Sequence, residues 1–352
     1  MIEKLPITSF LSLSAGNIII DVRSPAEYKH AHIPGAHNIP LFNDEERKIV
    51  GTAYKQESRE KAIKIGLDLF GPKMKPIVEA VEEIKSQIPN PNSGIFLYCW
   101  RGGMRSSAIA WLLDLYGFKV HTLVGGYKSY RRIVLDSFNH PYNFRILGGF
   151  TGSGKTELLQ ELKSSKETII DLEDLAKHKG SAFGNIGMPV QPGQEMFENL
   201  LHEELRAKKE APHIWLEDES QRIGRVNLPN ALWARMRDST VFFLDIPFEE
   251  RLQHIVKEYG GLDQARLKEA IGRIRQKLGG QHAKVAIEHL DSGNTIESFR
   301  ILLEYYDKFY RKALHNRKDL NSLLLSFECK SISPENAKPL IHYRPAQEFQ
   351  QA

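Results

Sequence analysis

The chain has 352 residues, of which 41% are hydrophobic and 26% are charged, and its formal net charge is +4. Such a length is enough for two cores of about 100–200 residues each, and such a composition excludes a disordered, collagen-like or disulfide-stapled protein. The mild positive charge permits a polyanionic partner but does not require one.

The amino-terminal residues and the cysteines predict a cytoplasmic protein that has no membrane partner. The chain starts without a secretory signal, and no apolar stretch reaches the roughly 18 residues that cross a bilayer. Cys99 and Cys329 are the two cysteines, too few for a disulfide framework or a zinc site. We assign Cys329 a structural role, because its surroundings in SFECK carry no feature that would activate a thiol.

Strand and helix patterns alternate through the first half of the chain. Short apolar runs predict strands at Asn17–Val22, Ile95–Cys99 and Lys119–Leu123. Apolar residues at helical spacing predict a helix over Ser106–Tyr116, which ends at Gly117. Alternating strands and helices favour a parallel sheet with helices on both faces.

A linker at 138–143, which contains Pro and Asn, leads into a second α/β pattern. A helix is predicted at Lys155–Leu162, and strands are predicted at Arg145–Gly149, Glu167–Asp171, His213–Asp218 and Thr240–Asp245. From Phe248 to about Leu325 the pattern is mostly helical, and the polar residues after it predict a loosely held tail. We therefore expect domains at 1–138 and 144–330, followed by a polar tail at 331–352.

Residues 149–156, GFTGSGKT, fit the phosphate-binding pattern G-x-x-x-x-G-K-[ST], with a strand before them and a helix after them. Glycines let backbone N–H groups converge on phosphate oxygens, and the helix N-terminus adds partial positive charge. The lysine supplies a full charge, and the final hydroxyl can reach a Mg²⁺ ion. The predicted phosphate-binding residues are Gly149, Gly152, Ser153, Gly154, Lys155 and Thr156.

The P-loop pattern leaves the bound compound and the metal open. A nucleoside triphosphate is the default, and a diphosphate ester has the same oxygen geometry. An acidic partner on the metal side should follow a neighbouring strand, and the candidates are Glu217, Asp218 and Asp171. Each of these acids is equally expected to cap a helix or face water, so Mg²⁺ at Thr156 is a hypothesis.

Cys99 lies at a predicted strand-to-helix turn, in the run CWRGGMRSS. Amide N–H groups can line such a turn, and the helix dipole, Arg101 and Arg105 all favour the thiolate. Gly102 and Gly103 let the backbone curl around an anion on the sulfur. The alternative is a small buried residue at a strand end, but this composition favours a reactive thiol that a substrate can approach.

The first domain resembles the rhodanese family. The resemblance rests on Ile20–Tyr28, on His32–Pro40, on the Cys99 loop and on Val124–Tyr127. Rhodaneses place a persulfide-carrying cysteine in that loop, and Ala31 departs from the Gly that many of them have. The implied fold class is α/β: a rhodanese-like parallel sheet with flanking helices, then a P-loop NTPase-like domain with a helical C-terminal extension.

A rhodanese domain fused to a P-loop domain is a narrower match, and the whole chain resembles bacterial tRNA 2-selenouridine synthases. The supporting runs are the two loops together with Gly180–Gly184, Gln194–Asn199 and Glu217–Ser220. The resemblance implies a tRNA partner that carries 2-thiouridine at the wobble position. Its sulfur would be geranylated with geranyl diphosphate, and the geranylthio group would then be replaced by selenium from selenophosphate, which a partner enzyme supplies.

The P-loop and the Cys99 loop each have features that suit one of these two steps. The P-loop can hold a diphosphate, and the catalytic candidates Cys99, Arg101 and Arg105 suit an anion such as selenophosphate. Cys99 then either carries selenium covalently or assists departure of the geranyl thiol. The glycine-rich segment Gly180–Gly193 is either a lid over the prenyl chain or a packed surface loop. No prosthetic group is expected.

Basic clusters provide candidates for contact with tRNA. One follows the first domain, and the other lies in the helical region beside two glycines. Either cluster is alternatively a solvated helix face. The residues are Lys128, Arg131, Arg132, Arg273, Arg275 and Lys277.

Three other functions fit parts of the pattern. A thiosulfate-type sulfurtransferase with a nucleotide-regulated P-loop domain would transfer sulfur without tRNA. A small-molecule kinase with an appended rhodanese domain would turn over ATP, and Val241–Arg251 resembles nucleotide-kinase sequences. A nucleotide-gated sulfur-binding adaptor would bind without forming a product.

Overall fold

The computed structural model describes residues 2–87 and 94–344, and it has an α/β fold with two separate parallel sheets. The chain divides into two compact units. Unit 1 comprises Met1–Ser137 and Glu198–His202, and unit 2 comprises Phe138–Phe197 and Glu203–Ala352. No helix within the described residues is long and apolar enough to span a membrane.

Unit 1 contains a five-stranded parallel sheet in the order β1-β5-β4-β2-β3. Its strands are β1 (Glu3–Leu5), β2 (Ile18–Asp21), β3 (His37–Asn38), β4 (Ile95–Tyr98) and β5 (Val120–Leu123). Its helices are α1 (Ile7–Leu13), α2 (Pro25–His30), α3 (Asp44–Gln56), α4 (Arg59–Phe70), α5 (Met74–Ser86), α6 (Met104–Tyr116) and α7 (Gly126–Ser137), with a 3₁₀ turn at Gly71–Lys73.

The central strand of this sheet is buried on both faces, as an uninterrupted apolar run predicts. All four residues of β4 are buried, and both β2 and β5 pair with it in parallel. The helix after β4, α6, ends at Gly117, which adopts the left-handed conformation that favours glycine (φ 105°). Cys99 therefore follows the carboxyl end of the central strand.

Unit 2 contains a four-stranded parallel sheet in the order β11-β10-β6-β7. Its strands are β6 (Phe144–Gly149), β7 (Ile214–Glu217), β10 (Thr240–Asp245) and β11 (Leu324–Glu328), and β8 (Arg222–Ile223) and β9 (Val226–Asn227) form a separate antiparallel ribbon.

Helices form most of the remainder of unit 2. They are α8 (Lys155–Ser164), α9 (Leu172–Ala176), α10 (Gln194–Ala207, of which Glu198–His202 is assigned to unit 1), α11 (Asn230–Arg237), α12 (Phe248–Tyr259), α13 (Gln264–Leu278), α14 (Gly280–Asp291), α15 (Thr295–His315), α16 (Leu320–Leu323) and α17 (Ala337–His342), with a 3₁₀ turn at Pro334–Asn336. Helices α12 to α15 enclose their own apolar core, which includes Phe183, Leu252 and Phe299.

One strand prediction in unit 2 is wrong, and one strand was not predicted. Glu167–Asp171 is not a regular strand, because only Ile169 bridges to Trp215 before the chain turns away. The Asp171 carboxylate then accepts the backbone N–H of Asp174 and caps α9. The mostly helical prediction to Leu325 also missed β11, which completes the sheet beside β10.

The prediction of a loose tail at 331–352 is wrong for residues 331–344. Ala337 and Leu340 of α17 are buried in the core beneath the P-loop helix α8. Apolar side chains separated by three positions lie on one helical face, which explains why a mostly polar segment still packs. Residues 345–352 lie outside the described residues.

Leu340→Ala should lower the free energy of unfolding of unit 2 by about 2–5 kcal/mol, because it leaves a cavity in a closed core. Urea denaturation measures this change. Lys338→Ala, on the exposed face of the same helix, is the matched control and should change stability by less than about 0.5 kcal/mol. Equal, small effects of the two substitutions would show that α17 does not pack.

Candidate functional site

Cys99 lies in a turn that is closed by backbone donors. It follows β4 and precedes α6, and the backbone N–H of Gly103 donates to its sulfur at 3.3 Å. The Ser106 hydroxyl lies 3.3 Å from the same sulfur. The turn therefore directs several polar hydrogens at one atom.

These donors set the ionisation of the thiol. Burial is the largest single influence and raises the pKa of Cys99. Hydrogen bonds from the Ser106 side chain and from the Ser106, Gly103 and Arg101 backbones lower this pKa, and their combined effect exceeds that of burial. The net pKa lies below the ordinary value for a thiol. Burial raises the pKa of Cys329, whose sulfur bonds only to the carbonyl oxygen of Phe327 within the described residues.

Two glycines let the cysteine loop lie directly on the start of α7. Gly102 and Gly126 both have positive φ, and a Cβ on Gly126 would collide with the Cys99 carbonyl oxygen. Because these glycines have no side chains, the two segments approach closely. The backbone N–H of Tyr127 donates to the Cys99 carbonyl at 2.8 Å, and that of Lys128 donates to the Trp100 carbonyl at 3.1 Å. The GGY run that resembles rhodanese thus fixes the backbone around the thiol.

The two arginines do not act on the thiol as the sequence predicted. Arg105 donates to Glu27 at 2.6 and 3.3 Å, so its charge is matched by a carboxylate. Burial raises the pKa of Glu27, but Arg105, the Ser24 backbone and Arg47 together lower it to about 2. Arg101 is exposed and acts on Cys99 through its backbone N–H.

A buried cation, Arg23, packs beside the cysteine loop, and the sequence did not identify it as a site residue. Arg23 is fully buried, and it donates to both carboxylate oxygens of Asp21 and to the carbonyl of Ala31. Its guanidinium carbon lies 3.9 Å from the centre of the Tyr127 ring. The aspartate and arginine of the rhodanese-like IDVR run are therefore structural supports for α7 and the cysteine turn.

The thiol is less accessible than the sequence predicted. Cys99 is only 3% exposed, whereas Trp100 and Met104 in the same loop are 39% and 51% exposed. In this conformation the sulfur is nearly closed to a substrate, so the expectation of a thiol that a substrate can approach is not met.

The second candidate site is the P-loop, which connects β6 to α8 as predicted. Gly152 and Gly154 have positive φ, and Gly154 directly precedes the first residue of α8. The Lys155 ammonium donates to the Gly149 carbonyl at 3.0 Å and lies 5.9 Å from the centre of the Tyr310 ring. The hydroxyl of Ser153 is buried and has no partner within the described residues.

Of the three candidate acids, Glu217 is the one that reaches the P-loop. The Thr156 hydroxyl donates to Glu217 at 3.0 Å and also lies 3.3 Å from Glu173. Asp218 instead accepts hydrogen bonds from Arg317 and Tyr310, and Asp171 caps α9. Glu173 was missed because it lies in a short helix without a motif.

Burial favours the protonated form of the carboxyls beside Thr156. Burial, followed by the neighbouring carboxylates, raises the pKa of both Glu217 and Glu173, and burial likewise raises that of Glu219. A protonated carboxyl repels an anion much less than an ionised one does. Protonation of these carboxyls would therefore reduce their repulsion of a phosphate group that binds near Lys155.

A cavity of about 870 Å³ opens from the P-loop. Its polar end contains the P-loop and the acidic residues, and its other walls are largely aromatic. The aromatic and apolar lining residues are Trp233, Ile255, Tyr259, Tyr305, Tyr306, Phe309, Tyr310, Ala313 and Leu314.

The glycine-rich segment contributes to this cavity at its start. Gly180 and Ser181 line it, whereas Phe183 is buried in the helical core and Val190 is 88% exposed. The segment is thus partly a packed element, and its role as a lid stays a hypothesis.

Oxygen ligands of the kind that Mg²⁺ prefers are present at Thr156 and Glu217. Within residues 2–87 and 94–344, no group of three or more His, Cys, Asp or Glu side chains is arranged to hold a metal ion. A Mg²⁺ ion at this position would therefore depend on oxygens from a bound phosphate compound.

Two of the predicted basic residues are engaged in hydrogen bonds within the protein. Arg131 is engaged with Glu198 and Asn199, and Arg273 bonds to Glu269 and the Ala182 carbonyl. The remaining candidates are exposed, and Lys277 lines the cavity. These are Lys128, Arg132, Arg275 and Lys277.

Comparison with known proteins assigns a family to both halves of the chain. Residues 142–326 match the family described as tRNA 2-selenouridine synthase AAA domain, and residues 10–133 match the rhodanese-like domain. The chain is 37% identical over 326 residues to the tRNA 2-selenouridine synthase of Hydrogenovibrio crunogenus, covering 83% of this chain and 88% of that relative. It is 36% identical over 337 residues to the enzyme of the same name from Marinobacter nauticus, covering 86% and 89%.

A solved structure also matches part of the chain. The N-terminal domain of a putative ATP/GTP binding protein from Clostridium difficile 630 is 40% identical, with a TM-score of 0.35, and the match covers 38% of this chain and 99% of that one.

The pKa of Cys99 can be tested by alkylation in a Cys329→Ala background. The rate with iodoacetamide should follow the thiolate fraction, with a midpoint below the ordinary thiol value, since hydrogen bonds to the sulfur outweigh burial. Ser106→Ala removes one donor and should raise the midpoint, while Ser107→Ala, on an exposed neighbour, should not. A midpoint at or above the ordinary value in the parent protein would refute this electrostatic assignment.

Glu27→Gln should destabilise unit 1 by about 2 kcal/mol at pH 7. Because the folded pKa of Glu27 is lowered from 4.5 to about 2, its stabilisation is complete above pH 4.5 and is lost as pH falls toward 2. Urea denaturation at pH 7 and pH 3 should show a smaller difference between wild type and variant at pH 3. A constant difference would mean that Glu27 contributes through packing rather than charge.

Proposed function

Because this chain belongs to the tRNA 2-selenouridine synthase family of enzymes, we propose that it replaces the sulfur of 2-thiouridine in tRNA with selenium from selenophosphate. The observation that carries the proposal is the presence, in one chain, of a cysteine with a lowered pKa and a P-loop that opens into an aromatic cavity. The first suits selenium chemistry, and the second suits a diphosphate ester with an apolar chain.

The proposed first step is geranylation of the thiocarbonyl sulfur. That sulfur forms a bond to C1 of geranyl diphosphate, the C1–O bond breaks, and diphosphate leaves with the electron pair while the base loses its N3 proton. Lys155 and the P-loop N–H groups face the developing charge, where a preorganised donor contributes about 3 kcal/mol. Partly protonated Glu217 and Glu173 limit the repulsion of the departing anion.

The aromatic walls of the cavity suit the geranyl chain. Tyr306, Tyr310 and Trp233 line the same cavity as Lys155, so the chain and the diphosphate can be held together. A smaller apolar pocket between Phe183 and Phe299 is only about 40 Å³ and can take little more than a methyl group or a water. We assign the prenyl chain to the main cavity, with Gly180 and Ser181 at its edge.

The proposed second step uses the Cys99 loop. Selenium of selenophosphate forms a bond to C2 of the base, the C2–S bond breaks, and geranyl thiol leaves with the electron pair and takes a proton. Water then cleaves the P–Se bond and releases phosphate. We assign Cys99 to this step, after movement of residues 100–104 exposes its sulfur.

Two further groups are implied. Mg²⁺ would be held by Thr156 together with oxygens of the diphosphate, and when bound it supplies charge neutralisation for the leaving group. Selenophosphate must come from a separate enzyme, which is therefore a functional partner.

Cys99→Ser should abolish selenium incorporation and leave geranylated tRNA to accumulate, whereas Lys155→Ala should slow geranylation about 100-fold. Mass analysis of tRNA nucleosides, with both co-substrates supplied, distinguishes the products. Cys329→Ser and Lys163→Ala are the matched controls and should behave as wild type. Selenouridine formed at the normal rate by Cys99→Ser would remove this residue from the mechanism.

A further inference from the structure

Helix α15 carries a basic face that the sequence-based candidates did not include. Lys308, Arg311, Lys312 and His315 are spaced three or four residues apart, and all are exposed. Such spacing places them along one side of the helix. They line a groove of about 640 Å³. We call these four residues the α15 basic face.

The charge of this face is not cancelled by its neighbours. Asp307 lies in the groove, but its carboxylate accepts two hydrogen bonds from Arg251, at 2.9 and 2.7 Å. Within the described residues, Lys308 and Lys312 form no ion pair, and Glu304 is the other acid that lines the groove. The groove therefore keeps a net positive charge, which suits a polyanion.

Aromatic rings lie next to the basic face on the same helix. Tyr305 and Phe309, one turn apart, have ring centroids 4.6 Å apart and line the P-loop cavity. Phe309 is 42% exposed, so its ring is open to a ligand from solvent. Helical spacing puts both rings between the basic face and the cavity. Exposed rings beside cations are the combination that binds single-stranded nucleic acid.

The basic face also approaches the P-loop itself. The Arg311 guanidinium carbon lies 5.5 Å from the centre of the ring of Phe150, a P-loop residue. The α15 basic face thus contacts the P-loop segment through Arg311.

We propose that α15 positions the tRNA substrate for the P-loop. Backbone phosphates lie along the α15 basic face, and a base turned out of its stack lies against Phe309 and Tyr305 at the entrance to the cavity. The inference rests on the proposed function, because it requires that tRNA is the substrate. It explains how a base enters a cavity that a stacked duplex cannot enter.

The double variant Lys308→Glu/Lys312→Glu tests the phosphate contacts. Anisotropy of labelled tRNA carrying 2-thiouridine should show at least about tenfold weaker binding, and the dependence of binding on salt should fall by about two phosphate contacts. Lys284→Glu/Lys338→Glu makes the same charge change at exposed sites on α14 and α17 and should bind like wild type. Binding of geranyl diphosphate alone should be unchanged in both variants.

Phe309→Ala tests the stacking contact. It should weaken tRNA binding about tenfold, and Phe309→Tyr should restore it. Equal tRNA affinity of the two double variants would overturn the assignment of α15. Wild-type tRNA affinity in Phe309→Ala would overturn the stacking contact. If wild-type protein bound no tRNA, the proposed function would fail and this inference with it.

Discussion

Backbone N–H groups that turn inward after a parallel strand are the feature on which both candidate sites depend. In unit 1 the chain leaves β4, and the Gly103 N–H points at the Cys99 sulfur. In unit 2 the chain leaves β6 and enters α8 through Gly152 and Gly154 in left-handed conformations. Each turn opens a helix, so the dipole and the free N–H groups favour negative charge at the same place. The two candidate anion sites thus share one local arrangement, a strand followed by a turn and a helix, in two different sheets.

In both units the protein itself limits the charge beside the candidate site. Glu27 binds Arg105 in unit 1, and the Cys99 sulfur is left to neutral donors, which stabilise a thiolate without a permanent ion pair. In unit 2, burial raises the pKa of the carboxyls beside Thr156 and favours their protonated form, which competes less than a carboxylate for the charge of Lys155. A site prepared in this way favours ligands that bring their own negative charge, such as a diphosphate.

Local sequence determined the position of both loops, and that part of the site could be predicted. The spacing of glycine, lysine and threonine in 149–156 specifies a conformation within eight residues, and the structure shows the strand and helix that this pattern requires. The residue types around Cys99 likewise predicted a turn with inward donors. Their catalytic roles remain predictions, since the geometry shows an arrangement and not a reaction.

What could not be predicted depends on residues that are distant in sequence. Glu27 and Arg105 are 78 positions apart, and Tyr310, which donates to Asp218, is 92 positions from it. No periodicity reveals such pairs, so the arginines were assigned to the thiol and the choice among the acids stayed open. The edge strand β11 was missed for a related reason. It is a short apolar run after a long helix, and it forms a strand because it pairs with β10, which is distant in sequence.

Separate roles for the P-loop and the Cys99 loop can be tested with a substrate that is already geranylated, because such a substrate no longer needs the P-loop step. Purified tRNA that already carries S-geranyl-2-thiouridine is given to Lys155→Ala together with selenophosphate, and the nucleosides are measured. We predict that this variant forms 2-selenouridine as fast as wild type, because the P-loop is needed only for geranylation. Failure to convert the preformed intermediate, with the variant folded, would contradict separate roles for the P-loop and Cys99.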